Sequence, residues 1–313
     1  MNSFQKTVFA TLIATFLLIS LGSLVRTTGA GLGCPDWPKC WGTWLPPTTV
    51  QDLDPTYLSK NGYDSASFNS TKMWIEYANR LVGVAIGILV FATFLRAFRY
   101  KKTSPQIFYG AGLAFILVVF QGWLGGQVVE SGLRPGIITL HMLLAVILLW
   151  ALLYIAFKSL DERFKFELKR KNSKTLLRLA TVLMAVTMVQ LLLGSQVREG
   201  IDPFIADDGG LPRGEWLSQV GLFDHLHRFF SWFVLFVGSA MYWAAARFAP
   251  DTPIVLIVRY IFFCILFQIL LGIILAYGDL PKIAQVLHLT LAILLICFEF
   301  VLLIIIKMRP SKR

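Results

Sequence analysis

The sequence predicts an all-α integral membrane protein whose eight transmembrane helices form two pseudo-symmetric four-helix bundles, a tandem repeat about an axis along the membrane normal. Three observations predict it. Of 313 residues, 56% are hydrophobic, and the mean hydropathy of +0.67 is too apolar for a soluble domain. Uncharged runs long enough to cross a bilayer recur eight times. Motifs in the first half return in the second at near-constant offset.

The spans fall near Thr7–Val25, Trp74–Leu95, Gln106–Val129, Gly136–Phe157, Leu179–Val197, Leu226–Ala246, Tyr260–Tyr277 and Ile283–Ile306. The first follows Lys6 but is too long for a signal peptide's apolar region and lacks an A-x-A cleavage site, so it reads as a retained span. The loop Thr27–Met73 is rich in Gly and Pro and therefore in turns. Arg96, Arg99, Lys101 and Lys102 follow the second span, eight basic residues lie from Lys158 to Arg178, and Lys307, Arg309, Lys312 and Arg313 close the chain. The positive-inside rule puts these segments and both termini in the cytoplasm of a cell membrane, and the acidic loop Glu199–Asp224 outside. The net charge of +11 is thus a property of solvated inner loops rather than a nucleic-acid surface.

The repeat sets the domain limits. Gln121-x-x-Leu124-Gly125 returns as Gln268-x-x-Leu271-Gly272, and His141-x-x-x-Ala145 as His288-x-x-x-Ala292, each at an offset of 147. Glu76-x-x-Asn79-Arg80 returns as Asp224-x-x-His227-Arg228 at 148, and Gly22 to Arg26 returns as Gly194 to Arg198 at 172. The difference falls in the first outer loop. Residues 1–158 form the first half, 159–175 a cytoplasmic linker and 176–313 the second half.

Two of the chain's four histidines lie in Phe223–Phe230, FDHLHRFF, ahead of eighteen uncharged residues, Phe229 to Ala246. Ionisable groups at the mouth of a membrane helix are costly and usually functional. His227 and His288 are expected at similar depth on two helices of one bundle, the arrangement by which bundles hold haem between two axial imidazoles. His141 corresponds to His288, but Asn79 stands where His227 stands, and an amide is a poor iron ligand. A haem held by His141 alone keeps one face open, with Glu76 one turn from Asn79 and placed to move protons or stabilise developing positive charge.

Plainer readings stand beside these. A single intramembrane histidine is as often a hydrogen-bonded core residue as a ligand. Arg80 and Arg228 either fork onto haem propionates or snorkel to the headgroups. Cys34 and Cys40, six positions apart, form either a structural clamp or a redox relay, while Cys264 and Cys297 read as packing residues. His225 is either a donor behind His227 or solvated. Glu299, eleven residues after His288, points the same way as that histidine, toward the bundle interior, or else snorkels toward the level of Lys307.

The residues TGAGLGCPDWPKCWG from Thr28, EYANR at Glu76–Arg80, QGWLGG at Gln121–Gly126, His141, LGSQVREG at Leu193–Gly200, HLHR at His225–Arg228 and His288 together resemble the haem A synthase family. The resemblance covers nearly the whole chain. It implies an oxidoreductase that converts the C8 methyl of haem O to the formyl group of haem A for cytochrome oxidase. It implies a resident haem b on His227 and His288, a substrate haem in the first half, and importance of Glu76 for turnover. Its implied partners are haem O, the haem O synthase that supplies it, membrane lipid, an electron partner and a second copy of the chain. The family's first-half motif is Glu-x-x-His-Arg, from which Asn79 departs.

Three rivals make different demands. A dihaem quinol oxidoreductase needs four axial ligands, and three stand at the matching positions. A transporter needs broken helices with polar groups near the bilayer centre. A thiol oxidoreductase using Cys34 and Cys40 leaves the histidines without a role.

Overall fold

The computed structural model describes residues 1–160, 168–206, 210–307 and 311–312. The eight expected spans are all helical: α1 Ser3–Thr27, α3 Ser70–Ala97, α4 Pro105–Glu130, α5 Ile137–Lys158, α6 Arg170–Ala206, α8 Leu222–Phe248, α9 Pro253–Tyr277 and α10 Lys282–Lys307. Each is long and apolar enough to cross a membrane. Two short helices, α2 Pro55–Asn61 and α7 Trp216–Val220, lie in the two long connections. The only strands among the described residues are two residues long, Leu168–Lys169 paired in parallel with Ser311–Lys312.

The starts of these helices follow local chemistry. Asn2 caps α1 by accepting from Gln5 N–H at 2.9 Å, while the Gln5 side chain accepts from Asn2 N–H, a reciprocal capping box. Asn69 accepts from Lys72 N–H at the start of α3. Proline begins α4 and α9, where its missing N–H costs nothing.

Several boundaries differ from the sequence expectation: α6 starts at Arg170 and α9 at Pro253, ahead of the apolar runs at Leu179 and Tyr260. α6 continues through Pro203 to Ala206, so the connection expected from Glu199 starts later. An Arg198–Asp202 ion pair one turn apart extends the helix, and Ile201 is buried in a cluster with Trp216 and Leu280. The Asp207–Gly209 part of the expected turn, like residues 161–167 of the linker, lies outside the described residues. Gly136 has φ 83° and stays outside α5, which starts at Ile137, so His141 lies nearer its helix end than expected.

The chain divides into two compact units, Met1–Leu152 and Leu153–Arg313, with the division inside α5. In the first, α3 packs on α1 and α4; in the second, α6, α8, α9 and α10 close a ring of contacts. Outward faces are apolar: Ile88 is 64%, Ile116 66% and Phe236 74% exposed. These are side chains a lipid phase accepts and water does not.

Inward faces carry a little polar chemistry. Thr11 and Thr93 hydroxyls pair at 3.0 Å between α1 and α3, and Arg96 donates to the Thr7 hydroxyl one turn along the same seam. In the second unit Glu299 is 1% exposed and accepts from the Thr187 hydroxyl at 2.8 Å. Its place is therefore the bundle interior, and the snorkelling alternative is set aside.

Candidate functional site

The loop between α1 and α3 is built to press on the start of α3. Cys34 and Cys40 are joined in a disulfide across a sequence separation of 6, with both sulfurs in a buried cluster beside Trp41, Leu53 and Met73. Inside the loop the Asp36 carboxylate accepts from Trp41 N–H at 2.7 Å and Gly42 N–H at 2.9 Å, and the Trp41 indole donates to Gly33 C=O at 2.9 Å. Burial, together with Asp36, pushes the Tyr57 phenol well above its usual range, keeping it neutral against this knot. Gly33 is where loop meets helix: a Cβ there would lie 2.5 Å from the Lys72 backbone.

Gly33→Ala is therefore expected to lift the loop off α3 at a cost of about 1–3 kcal/mol, the range for overpacking a tight contact. The checks are a lower melting temperature and faster protease cleavage within the loop; an unshifted melting curve contradicts the contact.

What the loop grips is Glu76 and Arg80. The Glu76 carboxylate, 4% exposed, accepts Cys34 N–H on Oε2 at 2.9 Å and Arg80 Nε on Oε1 at 3.1 Å. Arg80 also donates to the carbonyls of Asp36 at 2.8 Å, Lys39 at 2.9 Å and Cys34 at 3.4 Å. The sequence offered Arg80 as a propionate contact or a snorkelling residue. The structure instead commits its guanidinium to the carboxylate and the loop carbonyls, because the disulfide loop folds directly over it.

The second unit repeats the acid–arginine pair without the cover. Asp224 is buried and binds Arg228 at 3.0 Å through Nε and 2.7 Å through Nη2, while the Arg228 side chain is 42% exposed. His225 is exposed, which favours the solvated reading over a donor role behind His227.

His227 and His288 meet as expected. Their rings lie 6.3 Å apart, centre to centre, at 73°. Two imidazole nitrogens on opposite sides of one first-row metal, each about 2 Å from it, put the ring centres roughly 6 Å apart. Their Nδ1 atoms, like that of His141, are buried without a hydrogen-bond partner. No cluster of three or more His, Cys, Asp or Glu side chains gathers among the described residues. A metal between His227 and His288 would then take its other ligands from the molecule that carries it.

A further set of residues surrounds the histidines: Gln121 and Gln268, which the sequence marks only as repeat positions, and Gln190, which the repeat does not mark. Gln121 Nε2 donates to His141 C=O at 2.8 Å, Gln190 to His227 C=O at 3.0 Å and Gln268 to His288 C=O at 2.8 Å. Four residues after each glutamine, one helical turn on, stands a glycine. A Cβ on Gly125 would lie 3.6 Å from His141 Cε1, on Gly194 2.9 Å from His227 Cε1, and on Gly272 3.7 Å from His288 Cε1. The same ring edge faces the same glycine three times. Asn79 occupies the fourth position, with Oδ1 buried and unpartnered.

With this geometry in view, the sequence model for the family described as "Cytochrome oxidase assembly protein" matches residues 5–299. The chain is similar to the Heme A synthase of Shewanella oneidensis, 25% identical over 214 residues, 68% of this chain and 62% of that protein. It is similar to the Heme A synthase of Bartonella tribocorum, 24% identical over 324 residues, 94% of this chain and 89% of that protein. It is also similar to that of Dinoroseobacter shibae, 28% identical over 274 residues, 75% and 70% of the two chains. The chain thus spans under two thirds of the Shewanella protein and most of the Bartonella one.

Proposed function

Because the chain belongs to the family of cytochrome oxidase assembly proteins, we propose that it is a haem A synthase: a multi-pass membrane oxidoreductase that converts the C8 methyl of haem O to a formyl group. The relatives that span most of the chain carry that name. The observation that carries the reading is the duplicated histidine site. One unit has two imidazoles 6.3 Å apart, and in the other His141 has the same glutamine and glycine surroundings, with Asn79 at the position that answers to His227 in the repeat.

In this reading His227 and His288 hold haem b. The 6.3 Å ring separation, the unpartnered Nδ1 atoms and the glycines under the Cε1 edges fit that group. When bound, haem b would supply one-electron transfer. Gln190 and Gln268 hold the backbone of its ligands through the 3.0 and 2.8 Å bonds to their carbonyls. Arg228, half in solvent, is the residue offered to its propionates.

Haem O is the substrate of the first unit, with His141 as its single protein ligand. Converting the methyl to a formyl group removes electrons and protons and brings in one oxygen atom, with an external electron acceptor and oxygen source required, and the carbon becomes electron-poor on the way. Glu76 is the group placed to meet that change: Cys34 N–H and Arg80 fix its two oxygens, holding an anion that stabilises positive charge and accepts a proton on Oε2. The haem sites lie toward the outer face of the cell membrane and both termini in the cytoplasm, the orientation that the basic segments favour. A haem O synthase is the natural supplier of the substrate.

Expression with and without a source of haem O, followed by identification of the extracted haems, tests the function. Haem A is expected only when haem O is supplied. Haem B alone, whatever the supply, overturns the assignment.

A further inference from the structure

We infer that the first unit carries a binding site for a small uncharged ligand, of the size of carbon monoxide or dioxygen, over Gly22 on α1, with Asn79 as its hydrogen-bonding partner. The inference deepens the proposed function and rests on His141 holding the substrate haem.

The repeat carries one three-residue unit four times. At three of its four occurrences a glutamine holds the main-chain carbonyl of a histidine on a neighbouring helix, and a glycine one turn beyond the glutamine lies against the ring's Cε1 edge. The offset of 172 that carries Gly194 onto Gly22 carries Gln190 onto Leu18, and the offset of 148 carries His227 onto Asn79. The fourth occurrence has therefore lost two members together. The glutamine that would fix the ligand's backbone is Leu18, and the imidazole is an amide. A lone His→Asn change would leave a glutamine still in place; here the helix joint that positions an axial ligand is absent as well.

The glycine is kept. A Cβ on Gly194 would press on His227 at 2.9 Å, whereas a Cβ on Gly22 would meet nothing within 4 Å. Gly22 lies on the α1 face that turns toward α3: Thr7, Thr11 and Thr15 are buried on that stripe, Thr7 and Thr11 meet Arg96, Leu89 and Thr93 on α3, and Leu18 and Gly22 continue it at helical spacing. The room that an imidazole fills in the second unit is thus open in the first. By the repeat, Asn79 stands where His227 fills that room in the second unit, with Oδ1 buried and unpartnered; a water donates to that oxygen, whereas a diatomic ligand, which only accepts, is met by Nδ2. A neutral amide donates through Nδ2 and accepts through Oδ1 without imposing charge, which suits a neutral ligand.

The test uses the purified full chain loaded with haem O, reduced, and titrated with carbon monoxide. One haem per chain is expected to bind carbon monoxide, and His141→Ala is expected to abolish that haem's content. Leu18→Gln with Asn79→His rebuilds the three-residue unit and is expected to keep both haems, low-spin by EPR, while losing carbon monoxide binding. Asn79→His alone, without the glutamine, is expected to leave part of the haem reactive. Asn79→Ala is expected to shift the C–O stretching frequency by removing the amide next to the ligand, and Gly22→Leu to block binding with haem content unchanged. A His141-dependent haem that is inert to carbon monoxide overturns the ligand site and leaves the synthase reading standing. Haem content indifferent to His141 overturns the reading beneath it. An unshifted C–O stretch in Asn79→Ala removes Asn79 from the site.

Discussion

His227→Ala and His288→Ala are each expected to strip the low-spin haem signal from the purified protein. Each change removes one of two imidazoles whose rings stand 6.3 Å apart, and a single remaining ligand leaves a five-coordinate, high-spin centre or none. Pyridine haemochrome assay and EPR read the result: up to one haem equivalent lost, and the low-spin resonance gone. His141→Ala is expected to leave that resonance intact, because His141 lies in the other compact unit. A low-spin signal that survives the loss of either His227 or His288 would defeat the assignment of the resident haem.

Glu76→Gln is expected to lower turnover of haem O by about 10²–10⁴-fold, the range for loss of a positioned acid or base, while haem content stays at the wild-type level. The amide is nearly the same size and still accepts Cys34 N–H, so the loop keeps part of its hold; what disappears is the negative charge and the proton-accepting oxygen. Glu76→Asp, which retains the charge but shortens the reach, is expected to recover part of the rate. The pair separates chemistry from scaffolding: a mainly structural Glu76 would show its loss as a lower melting temperature in both variants, with rates following stability. Glu76→Gln turnover within tenfold of wild type contradicts a role in the reaction.

The fold was largely legible in the sequence because burial in lipid imposes a long-range rule on a local pattern. An uncharged run of about 20 residues has few alternatives to a helix, and all eight runs are helices with ends within a few residues, apart from the start of α9 and both ends of α6. There Glu199, Asp202 and Pro203 read as a loop by composition. The packing of Ile201 on Trp216 and Leu280, residues distant in the chain, decides otherwise, and the Arg198–Asp202 pair one turn apart supports it.

The candidate site was legible only in part, for the same reason. The three histidines and Glu76 stood out by chemistry and repeat position. That Gln121, Gln190 and Gln268 bind backbone carbonyls of those histidines depends on which helices are neighbours, although the recurrence of Gln121 as Gln268 at a fixed offset was a usable signal. The engagement of Arg80 with carbonyls of Asp36, Lys39 and Cys34 depends on the path of a loop that local turn chemistry does not specify.

The glutamines have one more consequence. Each grips the main chain of its histidine, not the ring. The atoms that dock one helix on another are therefore different from the atoms that would touch iron. Side-chain replacement at positions 141, 227 and 288 leaves the docking bond available, so methionine, lysine or tyrosine can be installed there without dismantling the joint. Such a series would let the reduction potential be set by choice of residue on one unchanging frame, a freedom that ligands anchored through their own rings do not offer.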